Sequence, residues 1–328
     1  MSTAATTIDR AAPPDSGPRA LIRRLRHGDE AAHVITLVFA ATILLVTSML
    51  VYELWVGSQL TRSKFGIPFF WSSDWDPVFE HFGAAPFIYG TLVTSIVSLC
   101  IAVPLGLAAA IFLAELAPRK LSDTTAFLID LLAAVPSVIY GVLGIFVVVP
   151  LIRTTVGPAI RSTLGFLPIF KGPNYGVSLL AASVVLAIMI VPYIISVSRE
   201  VLLTVPRDQR EAALGLGATR WESTFKVVVP WARPGIMGSV FLALARALGE
   251  TMAVTMVIGN QPKIATSLFA PGYTIASVIA NEFAEASGEM HRSALMELGL
   301  VLFLITFILN GLARLLIIAT ERGGGRPA

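Results

Sequence analysis

Residues 205–236 read VPRDQREAALGLGATRWESTFKVVVPWARPGI. The stretch is polar, basic and too long for a simple turn. Glu211, Ala212 and Ala213 favour a helix, which Gly215 and Gly217 interrupt. Thr219, with Glu222 three residues on, has the spacing of a capping box. Pro230 and Pro234 are expected to end the run and return the chain to an apolar environment. The pattern predicts a short helix, a glycine turn and a second short helix lying on one membrane face. Such a rigid knob suits docking by a soluble partner; a merely structural connection is the alternative.

Apolar runs flank this loop, residues 177–197 before it and 235–259 after it. Four more lie further out, at 34–52, 89–113, 126–151 and 298–319. Each approaches or exceeds the roughly 20 residues that a helix needs to cross a hydrocarbon core. A lone strand would leave its backbone groups unpaired in lipid, so all six are expected to be helices. Of 328 residues, 55% are apolar and 14% charged, and the mean hydropathy is +0.78. A single soluble core does not absorb that much apolar surface. The composition predicts an all-α integral membrane protein. It excludes disorder, collagen and nucleic-acid binding as the main theme.

With the N-terminus placed in the cytoplasm, 15 of the 24 lysines and arginines fall on the inner side and seven on the outer. That bias favours two cytoplasmic termini. It also accounts for a pI near 9.2 with no nucleic-acid partner. The first apolar run is too long for a signal-peptide core and follows 33 mostly polar residues, so it reads as a retained span. The expected organisation is a cytoplasmic tail over 1–33, a six-helix domain over 34–319 with its inner loop at 201–233, and a short tail over 320–328. Residues 21–26, LIRRLR, suit the membrane surface or an ordinary positive flank. Cys100 is the single cysteine, and His27, His33, His81 and His291 show no metal-ligand spacing.

Arg246 falls near the middle of the fifth run, where a charge costs about 2.5–3.5 kcal/mol on insertion scales. Glu250, four residues on, would share its helix face. One reading is a mutually neutralising pair. The other is an anion-handling site on a water-filled path, because the guanidinium fork suits oxyanions. The two coexist if Glu250 restrains Arg246 until an anion competes for it. Asp130, at the inner end of the third run, reads as interfacial or paired to a nearby base. Pro104, Pro136 and Pro192 are expected inside spans, as hinges or as static kinks, and Gly141 and Gly144 at close helix contacts. The outer stretch WSSDWDPVFEHFG, residues 71–83, reads as an aromatic belt or a docking surface. Glu282, Glu285 and Glu289 read as a solvated acidic helix face, with contact to a partner as the alternative.

Glu211-Ala212-Ala213, then Gly217 and the apolar approach to Pro230, resemble the EAA loop of ABC importer permeases. FGAAPFIYGTL (82–92), AAVPSVIYGVLG (133–144), GPNYGVSLLAAS (172–183) and ARALGETMAVTMVIGN (245–260) look like the phosphate-specific branch of that family, the PstC type. The likeness runs from about residue 71 to the C-terminus. It implies a six-span type I permease fold in the cytoplasmic (inner) membrane. It implies that Glu211, Ala212, Ala213 and Gly217 couple this chain to a separate ATPase dimer, and that Arg246 and Glu250 line the path of inorganic phosphate. The implied partners are a second, related permease forming a heterodimer, and an extracytoplasmic phosphate-binding protein. No GxxxxGK[ST] loop occurs, nor any Gly-Lys pair. ATP and Mg are therefore expected on the ATPase, with no cofactor and no catalytic residue in this chain. Alternatives are a permease for sulfate or molybdate, and an ATP-independent secondary anion transporter or channel, which leaves the loop unexplained. A membrane enzyme would need a nucleophile–base set or metal ligands at one membrane face, and the sequence offers neither.

Overall fold

The computed structural model describes residues 29–323, and side chains over 32–318; the basic 21–26 segment lies outside them. Among the described residues six helices are long and apolar enough to cross a membrane. The chain divides into two units between Glu53 and Leu54, within helix α1 (Asp29–Gly57). In the first unit α1 is apolar around its circumference, with Leu37, Phe39, Ile43 and Leu44 all exposed. A helix of that composition has lipid as its solvent.

The second unit continues with α2 (Gln59–Phe65), α3 (Ala85–Leu116), α4 (Arg119–Ala133), α5 (Ser137–Leu164) and α6 (Leu179–Leu203). It then runs through α7 (Arg207–Gly215), α8 (Arg220–Leu248), α9 (Met252–Thr255), α10 (Ile275–Glu282) and α11 (Glu289–Gly323). The central element is α6. Two-thirds of its apolar window (67%) is buried, against 28% for α3, α5 and α8. Its middle packs with Tyr140 and Val148 of α5, Ala243 and Ala247 of α8, and Val254 of α9.

Two expected spans shift. The third runs over Ser137–Leu164, because the chain breaks before Pro136, which caps α5 from outside and is not inside a span. Residues 126–133 belong instead to α4, a separate amphipathic helix. The fifth span starts at Arg220 and ends at Leu248, so the second short helix of the 205–236 loop is simply the first turn of α8.

Pro230 does not end that helix, and the reason recurs along the chain. Four π-turns occur among the described residues: Phe112–Leu116, Gly144–Val148, Ile152–Val156 and Thr224–Val228. Each is followed two residues later by a proline: Pro118, Pro150, Pro158 and Pro230. A proline ring collides with the carbonyl four residues back and donates no hydrogen bond. Here the residue before each proline bonds five residues back, as Val149 does to Gly144 and Val229 to Thr224. The widened turn makes room for the ring. After each of the last three turns the helix, α5 or α8, runs on through the proline; α3 stops, because Ala117 turns to an extended conformation.

Lipid gives apolar helices little drive to associate, so close fit and polar contacts hold the bundle. A Cβ on Gly144 would lie 2.7 Å from Val257 Cγ1, and one on Gly141 2.4 Å from Met256 Sδ. Both glycines therefore sit at close contacts, as expected. The buried Ser198 and Ser239 hydroxyls share a 2.7 Å hydrogen bond between α6 and α8. Thr91 Oγ1 accepts from the Ile275 N–H at 3.0 Å.

The aromatic stretch before α3 splits in two. Phe69 and Phe82 are buried with Phe87, Leu295 and Leu298, whereas Trp71 (80%) and Phe79 (73%) are exposed. Trp75 Nε1 donates to Glu282 Oε2 at 3.0 Å, and His291 Nε2 meets the same oxygen at 3.0 Å. Glu282 is thus a fastening point and not part of a solvated face; Glu285 and Glu289 are exposed. Beneath it Tyr273 is buried and takes a hydrogen bond from Asn281 Nδ2 at 3.0 Å. Burial pushes the Tyr273 hydroxyl up to about 12.

Candidate functional site: the polar hairpin and the Arg246 break

The 205–236 loop begins where α6 ends. Pro206 stands before the first turn of α7. Its fixed φ suits that position. At the other end Ala218 N–H bonds Ala213 O and Gly217 N–H bonds Leu214 O. These two bonds make a Schellman motif, which requires a left-handed residue. Gly217 supplies it at φ +86°, with open space where a Cβ would stand. The glycine is needed for its conformation and not for packing. Thr219 and Glu222 then cap α8 reciprocally, as the spacing predicted.

Arg210 fixes the angle of this hairpin against the bundle. Its Nη2 donates to Glu115 Oε1 at 2.8 Å and to Leu202 O at 2.8 Å, and its Nε lies 3.2 Å from both Glu115 oxygens. Its Nη1 donates to Val205 O. One side chain therefore ties α7 to the end of α3 and to the end of α6. Both partners are mostly buried. The sequence carried one signal for this contact, a lone carboxylate at the end of a span, which the reading above did not use.

The four loop residues singled out by sequence divide by face. Ala213 is buried at 9% against the bundle, whereas Glu211, Ala212 and Gly217 are exposed. Leu216 beside them is 91% exposed and Trp221 59%. A hollow of about 540 Å³ lies between α7 and the start of α8, lined by Ala212, Ala213, Gly217 and Lys226 among others.

Arg246 lies in the last turn of α8, close to its end and not at the middle of a span. Gly249 closes the helix, so Glu250 stands beyond it and does not continue its face. Glu250 Oε1 instead accepts from Ala253 N–H at 3.2 Å, capping α9. Arg246 makes no ion pair with Glu250, and the residue is exposed. The negative end of the α8 dipole favours a cation there. Asp130 on α4 accepts from Ser196 of α6 at 2.7 Å, a hydroxyl partner and not a base.

Six candidate spans, with a rigid polar hairpin joining two of them, describe a multi-span membrane protein. The family model described as "Binding-protein-dependent transport system inner membrane component" matches residues 102–320, and the chain belongs to that family. Within it, a protein named "Phosphate transport system permease protein PstC" from Mesorhizobium japonicum is 47% identical over 310 residues, covering 93% of this chain and 95% of its own length. The protein of the same name from Pasteurella multocida is 46% identical, covering 92% and 96%. Among solved structures, a bacterial alginate ABC transporter with its periplasmic protein aligns at a TM-score of 0.57 and 15% identity, over 90% of this chain and 96% of that one. The MetNI methionine ABC transporter in an inward-facing form aligns at 0.53 and 18%, over 71% and 94%. These two likenesses establish the fold, a six-span ABC importer permease. The protein is accordingly a multi-pass membrane protein.

Proposed function

We propose that this chain is a permease subunit of an ATP-driven importer and that it carries inorganic phosphate into the cytoplasm by alternating access. The observation behind the reading is the 47% identity, over nearly the whole chain, to a protein named as a phosphate permease. A second, related permease completes the pathway. An extracytoplasmic phosphate-binding protein delivers the anion, and both termini lie in the cytoplasm. The exposed Arg246 faces the path and holds phosphate oxygens with its planar donors. Glu250 keeps the break after α8 open by capping α9.

ATP and Mg belong to a pair of ATPase subunits, and this chain does no covalent chemistry. The exposed α7 surface, with Glu211, Ala212 and Gly217, seats in the ATPase. Arg210 transmits its displacement to α3 and α6 through rigid hydrogen bonds. The test is uptake of labelled phosphate in cells lacking their own high-affinity importer. They would express this chain with its neighbouring permease, ATPase and binding-protein genes, with and without Glu211→Arg. Uptake that needs ATP, resists excess sulfate and is abolished by Glu211→Arg is the expected result. No uptake with every subunit present would overturn the phosphate assignment, and uptake indifferent to ATP would overturn the coupling.

A further inference from the structure

At the hairpin end of the bundle lies a second groove, of about 600 Å³; Arg210 and Glu211 on one wall belong to the coupling described above, but Arg119 and Arg207 have no part in it. Four arginines line it: Arg119, Arg199, Arg207 and Arg210. Two are committed. Arg210 is held by Glu115, and Arg199 by Ser122 Oγ at 3.1 Å and Asp123 at 3.2 Å. Arg119 and Arg207 are exposed and have no hydrogen-bond or ion-pair partner among the described residues. Glu211 is the remaining acid in the lining.

The two free arginines share a local setting. Each is the first residue of a helix, α4 or α7, and each follows a proline, Pro118 or Pro206. Proline has no capping side chain, and neither helix start carries a side-chain cap. Free guanidinium groups and uncapped helix N–H groups thus meet in one groove. Both favour the oxygens of an anion. The lining also fixes the depth. Leu113, Ala114 and Glu115 end the second span and Leu203 ends the fourth, so the groove opens at the level of the membrane boundary.

We propose that this groove binds a phosphate group, with Arg119 and Arg207 as its two-sided clamp and Arg199 behind them. The group belongs either to the headgroup of an anionic lipid or to free inorganic phosphate on that side of the membrane. The site would stand whether or not the chain transports phosphate.

The full-length chain, purified in detergent, would be tested in two arms. Native mass spectrometry would count phosphatidylglycerol retained from vesicles of equal phosphatidylglycerol and phosphatidylcholine. Equilibrium dialysis would measure binding of labelled inorganic phosphate to lipid-stripped protein. Arg119→Gln combined with Arg207→Gln is expected to lower one of the two at least fivefold. Arg220→Gln combined with Arg233→Gln removes equal charge outside the groove and is expected to leave both unchanged. Loss in the lipid arm assigns a headgroup, and loss in the dialysis arm assigns free phosphate. Absence of binding to the wild-type chain in both arms, or equal loss in the control variant, overturns the site. Arg207→Lys keeps the charge without the fork and is expected to weaken binding about threefold, so the clamp remains testable if the double variant misfolds.

Discussion

Arg210 and Glu115 lie 95 residues apart and meet through three nitrogen–oxygen contacts of 2.8–3.2 Å. Removing one partner of a buried pair costs roughly 3–5 kcal/mol, because a charge is left uncompensated. This pair is partly solvated, so Arg210→Ala is expected to cost somewhat less, about 2 kcal/mol. The melting temperature of the purified complex would fall, and uptake would fall further than stability. Glu115→Gln retains an acceptor and should be milder. Equal effects of the two variants on coupling would contradict the pairing as described.

Gly217 sits at φ +86° with no neighbour to crowd a side chain. A β-carbon in that conformation costs about 1–2 kcal/mol. Gly217→Val should therefore disorder the hairpin while sparing the spans. Co-purification of ATPase subunits would be lost while the permease remains folded. Gly217→Asn, which tolerates the left-handed region, is expected to retain most assembly.

Arg246 and Glu250 should separate in a uptake assay. Arg246→Gln removes the charge and is expected to abolish uptake with little loss of stability, since no hydrogen-bond or ion-pair partner is lost and only the contact with the helix dipole goes. Glu250→Gln keeps an oxygen for the Ala253 N–H and should retain the fold. Glu250→Ala deletes the cap and should destabilise the break by about 1 kcal/mol. Full uptake by Arg246→Gln would remove the arginine from the path.

The Tyr273 hydroxyl, pushed up to about 12 by burial, makes an alkaline prediction. The unfolded chain loses this proton near pH 10 and the folded one only near 12. The folded state then holds more protons, so stability falls as pH rises across that interval. Tyr273→Phe should flatten the fall, as measured by thermal melting from pH 9 to 12.

Much of the fold was legible because lipid imposes one long apolar run per span, and six such runs stand in the sequence. The capping box at Thr219 and the glycine turn were legible because both are local rules. The misplacements have physical causes. Hydropathy does not register the break at Pro136, where apolar residues continue on both sides. Nor does it register the end of α8 at Leu248, because the apolar, buried Ala253, Val254, Val257 and Ile258 follow closely beyond the break. The Arg246–Glu250 pairing failed for the same reason, since a four-residue spacing means a shared face only inside a helix. The contacts of Arg210 with Glu115 and of Trp75 with Glu282 join residues far apart in the chain, and no local pattern reports them.

The π-turns bear on how these spans are to be compared between proteins. Each inserts one residue into a helix and so turns everything beyond it by about 100°. The fifth helix in sequence, α5, carries two, so its two ends present faces about 200° apart from those of a regular helix. The proline after each turn works as a vernier mark, fixing where the phase is reset. A deletion of one residue inside such a turn would leave the span's length and hydropathy almost untouched, yet would swing its far end to the wrong neighbours.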